Sequence, residues 1–438
     1  MTKIVLIGAG SAIFGLGTIS DIFKSSILTG ATITLHDIDL KALKKTQKLA
    51  EKFKEKLSCD FTIEVASDRK QALKDANFVI ISIEVGNRFD LWEQDWKIPL
   101  QYGFKQIYGE NGGPGGLFHA LRIIPPILEI CGDIQKISPN AFVFNYSNPM
   151  QRICHAVTSK YPSLKFVGLC HEINSMNEQL PILMETDFSN IEFRAGGLNH
   201  LSILLEARYK DTGENGYPII CEKFNNFYTK LVNEYDDYHK SKPGAERGVF
   251  FELYRIYGYL PITVDSHLGE YIQWAHSVAD HHGINEFYSN YKKKCLNFHE
   301  GVSSYSHFFD PKRKTNERIV PIMEAIIQDT NTEEVAVNIP NKNLIFDLPT
   351  DIVVEVPAKI GKNGVSGICL KSFPSAFGRL LNNQVGVITL TTDAILKQSK
   401  HCAYQALIAD PVVDNVKSAS NLLDTMLEIQ KGYLDYLT

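Results

Sequence analysis

The chain has no long apolar run, no paired cysteine motif, no excess of basic charge and no internal repeat. Each absence removes a class of protein. Nothing in its 438 residues approaches the roughly 20 consecutive apolar side chains of a membrane-spanning helix. Met1-Thr2-Lys3 leads directly into "IVLIGAG", too short an apolar run for the core of a secretory signal. The 8 cysteines include no C-x-x-C pair, which argues against a disulfide framework. A formal charge of −5 offers no basic surface to nucleic acid or an anionic membrane. The expectation is a soluble, reduced, cytoplasmic protein with neither a nucleic-acid nor a membrane partner. What is present, 44% hydrophobic and 22% charged residues, is enough to build a sizeable globular core.

The first part alternates strand and helix. Residues 3–8, 31–39, 61–66, 77–83, 141–147 and 165–170 are short β-rich apolar runs. Between them lie helical stretches, such as 11–26 and the charged amphipathic segment 40–57. Strands separated by helices imply right-handed βαβ units and a parallel sheet covered on both faces. The fold class expected is α/β: a Rossmann-like doubly wound parallel sheet over residues 1–195, with a second, mixed α/β lobe over 196–438. In the second lobe, "GGLNHLSILLEARY" (196–209) reads as a strand after a glycine turn. Residues 220–300 read as aromatic and helical, 344–361 as strand-like, and the last sixty residues as helical.

Several motifs follow strands. Gly8 and Gly10 come directly after the first, where a tight turn lets backbone approach a pyrophosphate. Ile13 holds the third glycine position of G-x-G-x-x-G, so that fingerprint is incomplete. Asp37 ends the second strand, where a carboxylate can bind ribose hydroxyls. With His36 beside it, the reading is NAD rather than NADP. Gly8, Gly10, Ser11 and Asp37 are thus the expected cofactor contacts, although a plain strand–turn–helix corner has the same pattern. "GENGGPGG" (109–116) precedes a helix, and its glycines could free N–H groups for a ligand. Arg88 and Asn148 follow the fourth and fifth strands, positioned to contact a cofactor or a sugar hydroxyl. Cys170 and His171 end another strand, and His200 follows thirty residues later. A thiolate and an imidazole suit a transition metal and leave coordination positions open. Cys170 as a small buried hydrophobe and His200 as a hydrogen-bonded core histidine are the bland alternatives.

In order along the chain, "GAGSAIF", "LHDID", "VGNRFD", "GENGGPGG" with Arg122, "NYSNPM", "GLCHEI", "GLNH", "DSHLGEY" and "LPTDIVVEVP" resemble glycoside hydrolase family 4. The resemblance runs nearly end to end. It implies an NAD- and divalent-metal-dependent glycosidase, usually with manganese, that assembles as a homodimer or homotetramer. Cys170 and His200 match the metal ligands, and Asn148 and Arg88 the substrate-binding positions. His171 sits where some members carry the acid that protonates the leaving group. Asp265 falls where others carry the base, with His267 as a competitor. Glu172 would read the sugar's remaining hydroxyls. Glu110-Asn111 stands where members usually show aspartate and threonine, a departure that touches support of the base. The implied chemistry is oxidation at C3, deprotonation at C2, elimination of the C1 substituent, addition of water and re-reduction, an exception to the two-carboxylate scheme.

"CHEI" differs from the "CNVP" or "CDMP" of members acting on 6-phosphosugars. With "DSHLGEY" it leans toward unphosphorylated α-galacturonides, with α-galactosides and α-glucosides as alternatives. A simple malate- or lactate-like NAD-dependent dehydrogenase is the rival of another class.

Overall fold

A computed structural model describes residues 1–11, 14–233, 246–299 and 317–438. Ile13, and residues 234–245 and 300 of the aromatic segment, lie outside the described residues. The first half alternates β1 (Lys3–Ile7), α1 (Phe14–Lys24), β2 (Thr32–His36), α2 (Leu40–Leu57), β3 (Thr62–Val65), α3 (Arg69–Leu73) and β4 (Phe78–Ile81). It continues with α4 (Arg88–Gln101), α5 (Gly113–Ile137), β5 (Phe142–Asn145), α6 (Met150–Lys160) and β6 (Lys165–Gly168). After α7 (Ser175–Met184) come β7 (Ile191–Leu198), β8 (Leu201–Tyr209) and α8 (Tyr217–Asn233), and later β9 (Thr332–Pro340), β10 (Val353–Gly361) and β11 (Gly364–Gly367).

All these strands join one sheet in the order β3-β2-β1-β4-β5-β6-β9-β10-β7-β8, with β11 beside β10. The pairs from β3 to β6 are parallel; those from β6 onward are antiparallel. The central strands are apolar throughout, as burial on both faces demands: "FVII" of β4 is entirely buried. Register aligns the strand ends. Ile7 pairs with His36 and Ile81, Ile81 with Asn145, and Asn145 with Gly168. Residues that follow these five positions therefore emerge along one edge, where open α/β sheets hold their ligands. Order reverses between β1 and β4, and there a Cβ on Gly8 (φ +86°) would lie 2.1 Å from Ser82 O.

The sheet runs without interruption through residues 195 and 196, within β7. The C-terminal helices Ser375–Leu396, Lys400–Ala409 and Val416–Ile429 return to cover the parallel half, where Ala394, Leu407 and Met426 share a core with Val5, Val79 and Ile124. Two strand expectations change. The glycines of "GGLNH" lie inside β7, and Asn199-His200 makes the turn. Gly197, at φ +153°, allows that close approach, since a Cβ would meet Leu201 O at 2.4 Å. Residues 344–352 form a loop, because the Asn341 amide donates to Ile345 O, Leu348 O and Pro349 O, each at 2.9 Å. Among the described residues no helix is long and apolar enough to cross a membrane.

Candidate active site

At the glycine turn, Gly8 N and Ala9 N donate to His36 O at 3.0 and 3.1 Å, and Ser11 N donates to Gly8 O at 3.0 Å. Gly10 N donates to Asp37 Oδ2 at 2.8 Å, so the turn and the carboxylate at the end of β2 form one unit. Asp37 Oδ1 also takes the Asp39 N–H. The four residues expected at a dinucleotide thus stand together at the strand-order reversal, with a half-buried carboxylate where a ribose would need an acceptor.

Further along the same edge, Cys170 Sγ lies 3.4 Å from His200 Nε2. His200 occupies the hairpin turn at φ +63°, a left-handed conformation costly for a non-glycine residue and held here by its surroundings. Glu355 supplies that hold. Its buried carboxylate accepts from Asn199 Nδ2 at 2.8 Å, Ser202 Oγ at 3.0 Å and Asn338 Nδ2 at 3.2 Å. The His267 ring stacks on His200 with centroids 4.4 Å apart, and His267 Nε2 faces Glu172 Oε1 at 3.7 Å. Glu172 Oε2 accepts from Thr263 Oγ1 at 2.7 Å. Donor atoms of Glu172, His200 and His267 all fall within 4.8 Å of one another.

The electrostatics suit a cation. Burial, and next the His267 imidazole, push His200 down to about 3, so its ring is neutral with a lone pair to give. Against burial, His267, His200 and His171 hold Glu172 at about 2, fully ionised. Burial raises the Cys170 thiol, with Glu172 and Glu355 adding to the effect; a metal is what would convert it to thiolate. Among the described residues, His200 Nδ1 and His267 Nδ1 are buried with no hydrogen-bond partner. Sulfur, nitrogen and carboxylate donors converging with unspent valence fit a divalent transition metal, and the residues present therefore fit the ion that the sequence implies.

His171 follows Cys170 and is exposed. Asn148, before a cis bond to Pro149, is half-buried beyond β5. Arg88 opens α4 and donates to Glu110 Oε1 at 2.9 Å.

Asp265 is placed otherwise than a base requires. It has no exposure, and its carboxylate accepts backbone N–H from Gly248 (2.8 Å), Phe250 (3.0 Å) and Asp280 (3.1 Å). It caps the helix Gly248–Tyr257 from across the chain, and its oxygens are spent there. The glycine loop also differs from expectation. Its N–H groups serve the protein: Glu110 N and Asn111 N donate to Glu270, the latter at 2.9 Å, and Gly115 N to Gln106 Oε1 at 2.9 Å. A Cβ on Gly115 would lie 2.6 Å from Asp95 O, so close packing is what demands glycine. Arg122 is buried against Asp95, 2.9 Å away, and Gln430, a tie to the C-terminal helices.

Sequence reasoning passed over Glu270 and Glu355, both buried carboxylates. Burial, with Glu110 adding to it and His267 opposing it, pushes Glu270 up to about 7. A lone glutamate inside the apolar "DIVVEVP" was the available signal for Glu355.

A profile described as family 4 glycosyl hydrolase matches residues 3–185, and one described as the family 4 glycosyl hydrolase C-terminal domain matches 195–413. An alpha-glucosidase of Erwinia rhapontici is 47% identical over 460 residues, spanning 100% of this chain and 99% of its own. An alpha-galacturonidase of Thermoanaerobacterium saccharolyticum is 29% identical over 457 residues, spanning 99% of this chain and 96% of its own. The crystal structure of a 6-phospho-alpha-glucosidase from gut microorganisms, in complex with NAD and Mn²⁺, shares the fold at a TM-score of 0.83 and 21% identity over 100% of both chains.

Proposed function

The chain belongs to the family 4 glycosyl hydrolases, and on that premise we propose that it cleaves uncharged α-glycosides, α-glucosides foremost, with NAD and a divalent ion such as Mn²⁺ bound. The observation that carries the reading is the convergence of Cys170, Glu172, His200 and His267 on one sheet edge with the Gly8–Asp37 turn. The 47% identity to an alpha-glucosidase supports the glucoside. Galacturonides are the second reading, supported by "CHEI", "DSHLGEY" and the 29% identical alpha-galacturonidase.

Bound NAD supplies reversible redox chemistry at a sugar carbon, and a divalent ion supplies electrophilic stabilisation of the charge that develops next to it. Gly8, Gly10, Ser11 and Asp37 hold the dinucleotide. Cys170 and His200 hold the metal, and Glu172 adds negative charge beside them. Arg88 and Asn148 donate hydrogen bonds to sugar hydroxyls. With Asp265 committed to its cap, His267 takes the proton from C2. Its pairing with Glu172 favours the imidazolium that results. His171 gives its proton to the departing C1 oxygen and is recharged from solvent.

The test is p-nitrophenyl α-glucoside and α-galacturonide incubated with protein, NAD and Mn²⁺ in D₂O. The expected result is release of nitrophenol without net NADH, and deuterium at C2 of the freed sugar. Release without deuterium sinks the mechanism. NADH accumulating with a 2-hydroxy acid in place of glycoside cleavage would favour the dehydrogenase.

A further inference from the structure

Arg88 is one-third exposed, yet its charge is already answered. Glu110 Oε1 accepts from one terminal nitrogen at 2.9 Å, and Glu84 Oε2 stands 3.5 Å from Nε. The guanidinium lies over the rings of Trp92 and Tyr291, at 5.2 and 5.3 Å from their centroids. Two carboxylates around one arginine would leave a net negative charge, but a second cation completes the set. His119 Nδ1 sits 2.8 Å from the Glu110 carbonyl oxygen and Nε2 3.3 Å from Glu84 Oε1. Both ring nitrogens therefore face acceptors, which only the doubly protonated imidazolium can satisfy. Glu84, held down at about 2 against burial by His119 and Arg88, is ionised. Arg88, Glu110, His119 and Glu84 thus form a closed quartet of zero net charge.

Within the quartet His119 answers Glu84, and Glu110 answers Arg88. The Glu110 side chain spans from the glycine loop to the Arg88 guanidinium at 2.9 Å. It is steadied by Asn111 Nδ2, 3.2 Å from its other oxygen, and by the Glu270 carboxylate that takes its backbone N–H. The loop bearing Glu110 adjoins the metal-capable cluster through Glu270, whose charge His267 faces. Beside Cys170 and His171 stands the guanidinium of Arg318, likewise ion-paired, to Glu334.

We infer that Glu110 is a specificity-determining residue: by neutralising Arg88 it lets that arginine donate hydrogen bonds to neutral sugar hydroxyls while denying it as a counter-ion to a sugar carboxylate or phosphate. The inference rests on the reading of the site as one that binds an uncharged α-glycoside. It predicts that removing the carboxylate, not the side chain's bulk, converts the quartet to a net positive charge and admits anionic sugars.

The experiment compares wild type, Glu110→Gln and Glu84→Gln, each with NAD and Mn²⁺, on p-nitrophenyl α-glucoside and its 6-phosphate. The readout is the ratio of kcat/KM for the phosphorylated over the neutral substrate. Glu110→Gln should raise it about tenfold, and Glu84→Gln by less, because Glu110 still faces Arg88 and the buried His119 imidazole, without Glu84, gives up its proton. A ratio that rises less than threefold in Glu110→Gln overturns the inference, even if both rates fall together. Where turnover is lost, the relative thermal stabilisation by glucose 6-phosphate and by glucose gives the same ratio as affinities. Wild type that cleaves no α-glycoside would refute the functional reading, while the affinity ratio would still decide the role of Glu110.

Discussion

Asp265→Ala separates a structural carboxylate from a catalytic one. The substitution strips acceptors from Gly248 N, Phe250 N and Asp280 N, which lie 2.8, 3.0 and 3.1 Å from the carboxylate. Each buried donor left unpaired costs about 1–3 kcal/mol. Relaxation and relief of a buried charge, which burial already raises in pKa, offset part of this. A net loss of about 4 kcal/mol is the central expectation. At about 2.1 cal/mol/K per residue, 438 residues give an unfolding entropy near 0.9 kcal/mol/K. The fall in Tm is then about 4 °C. Asp265→Asn keeps one oxygen but turns its amide toward an N–H, so it should fall between Ala and wild type. Differential scanning calorimetry measures the shift, and steady-state kinetics corrected for folded fraction measure the chemistry. Loss of a general base costs roughly 10²–10⁴ in rate; a cap should cost less than tenfold per folded molecule. An Asp265→Ala protein with wild-type Tm and a hundredfold lower kcat would refute the capping account.

Three further outcomes are expected. Glu270 is raised from 4.5 to about 7, so the native state keeps a proton that the unfolded chain has lost. Its contribution to stability is then lost as pH rises from about 4.5 to about 7; Glu270→Gln should flatten that part of the stability–pH curve in metal-free protein, measured by urea denaturation, and an unchanged slope would count against the assignment. Mn²⁺ at one hundred times its Kd should add about 2.7 kcal/mol of stability, read as a Tm rise of some 3 °C that His200→Ala abolishes. Arg122→Ala leaves Asp95 charged and buried, which should cost about 3–5 kcal/mol in denaturant titration; a loss under 1 kcal/mol would show that the pair contributes little.

Much of the parallel half was legible because burial on both faces imposes continuous apolar runs, as in "KIVLI" and "FVII". Helix 40–57 was visible through its amphipathic pattern; its cap, Asp39, which takes N–H groups of Lys41 and Ala42, was read as the end of the preceding strand. Residues that share an edge could be inferred wherever they closely follow strands, as Gly8, Asn148 and Cys170 do. Partnerships across long separations could not. Nothing local distinguishes Asp265, a cap for a helix that begins seventeen positions earlier, from His267, which meets His200 sixty-seven positions away. The "GENGGPGG" loop misled for a related reason: glycine marks close approach, and the approaching group was Glu270 backbone, 2.6 Å from a Cβ placed on Gly112. Glu355 escaped notice because its polar partners come from the β7–β8 turn, β8 and β9.

The account depends most on Cys170 and His200 sharing one divalent ion. Co²⁺ in place of Mn²⁺ reports this directly, because a thiolate bound to cobalt gives an intense near-ultraviolet charge-transfer band. Wild-type protein titrated with Co²⁺ should develop the band to one equivalent, and Cys170→Ser should lack it while binding the ion more weakly. Stoichiometric Co²⁺ binding to wild type with no such band, or a band that survives in Cys170→Ser, would contradict the shared site.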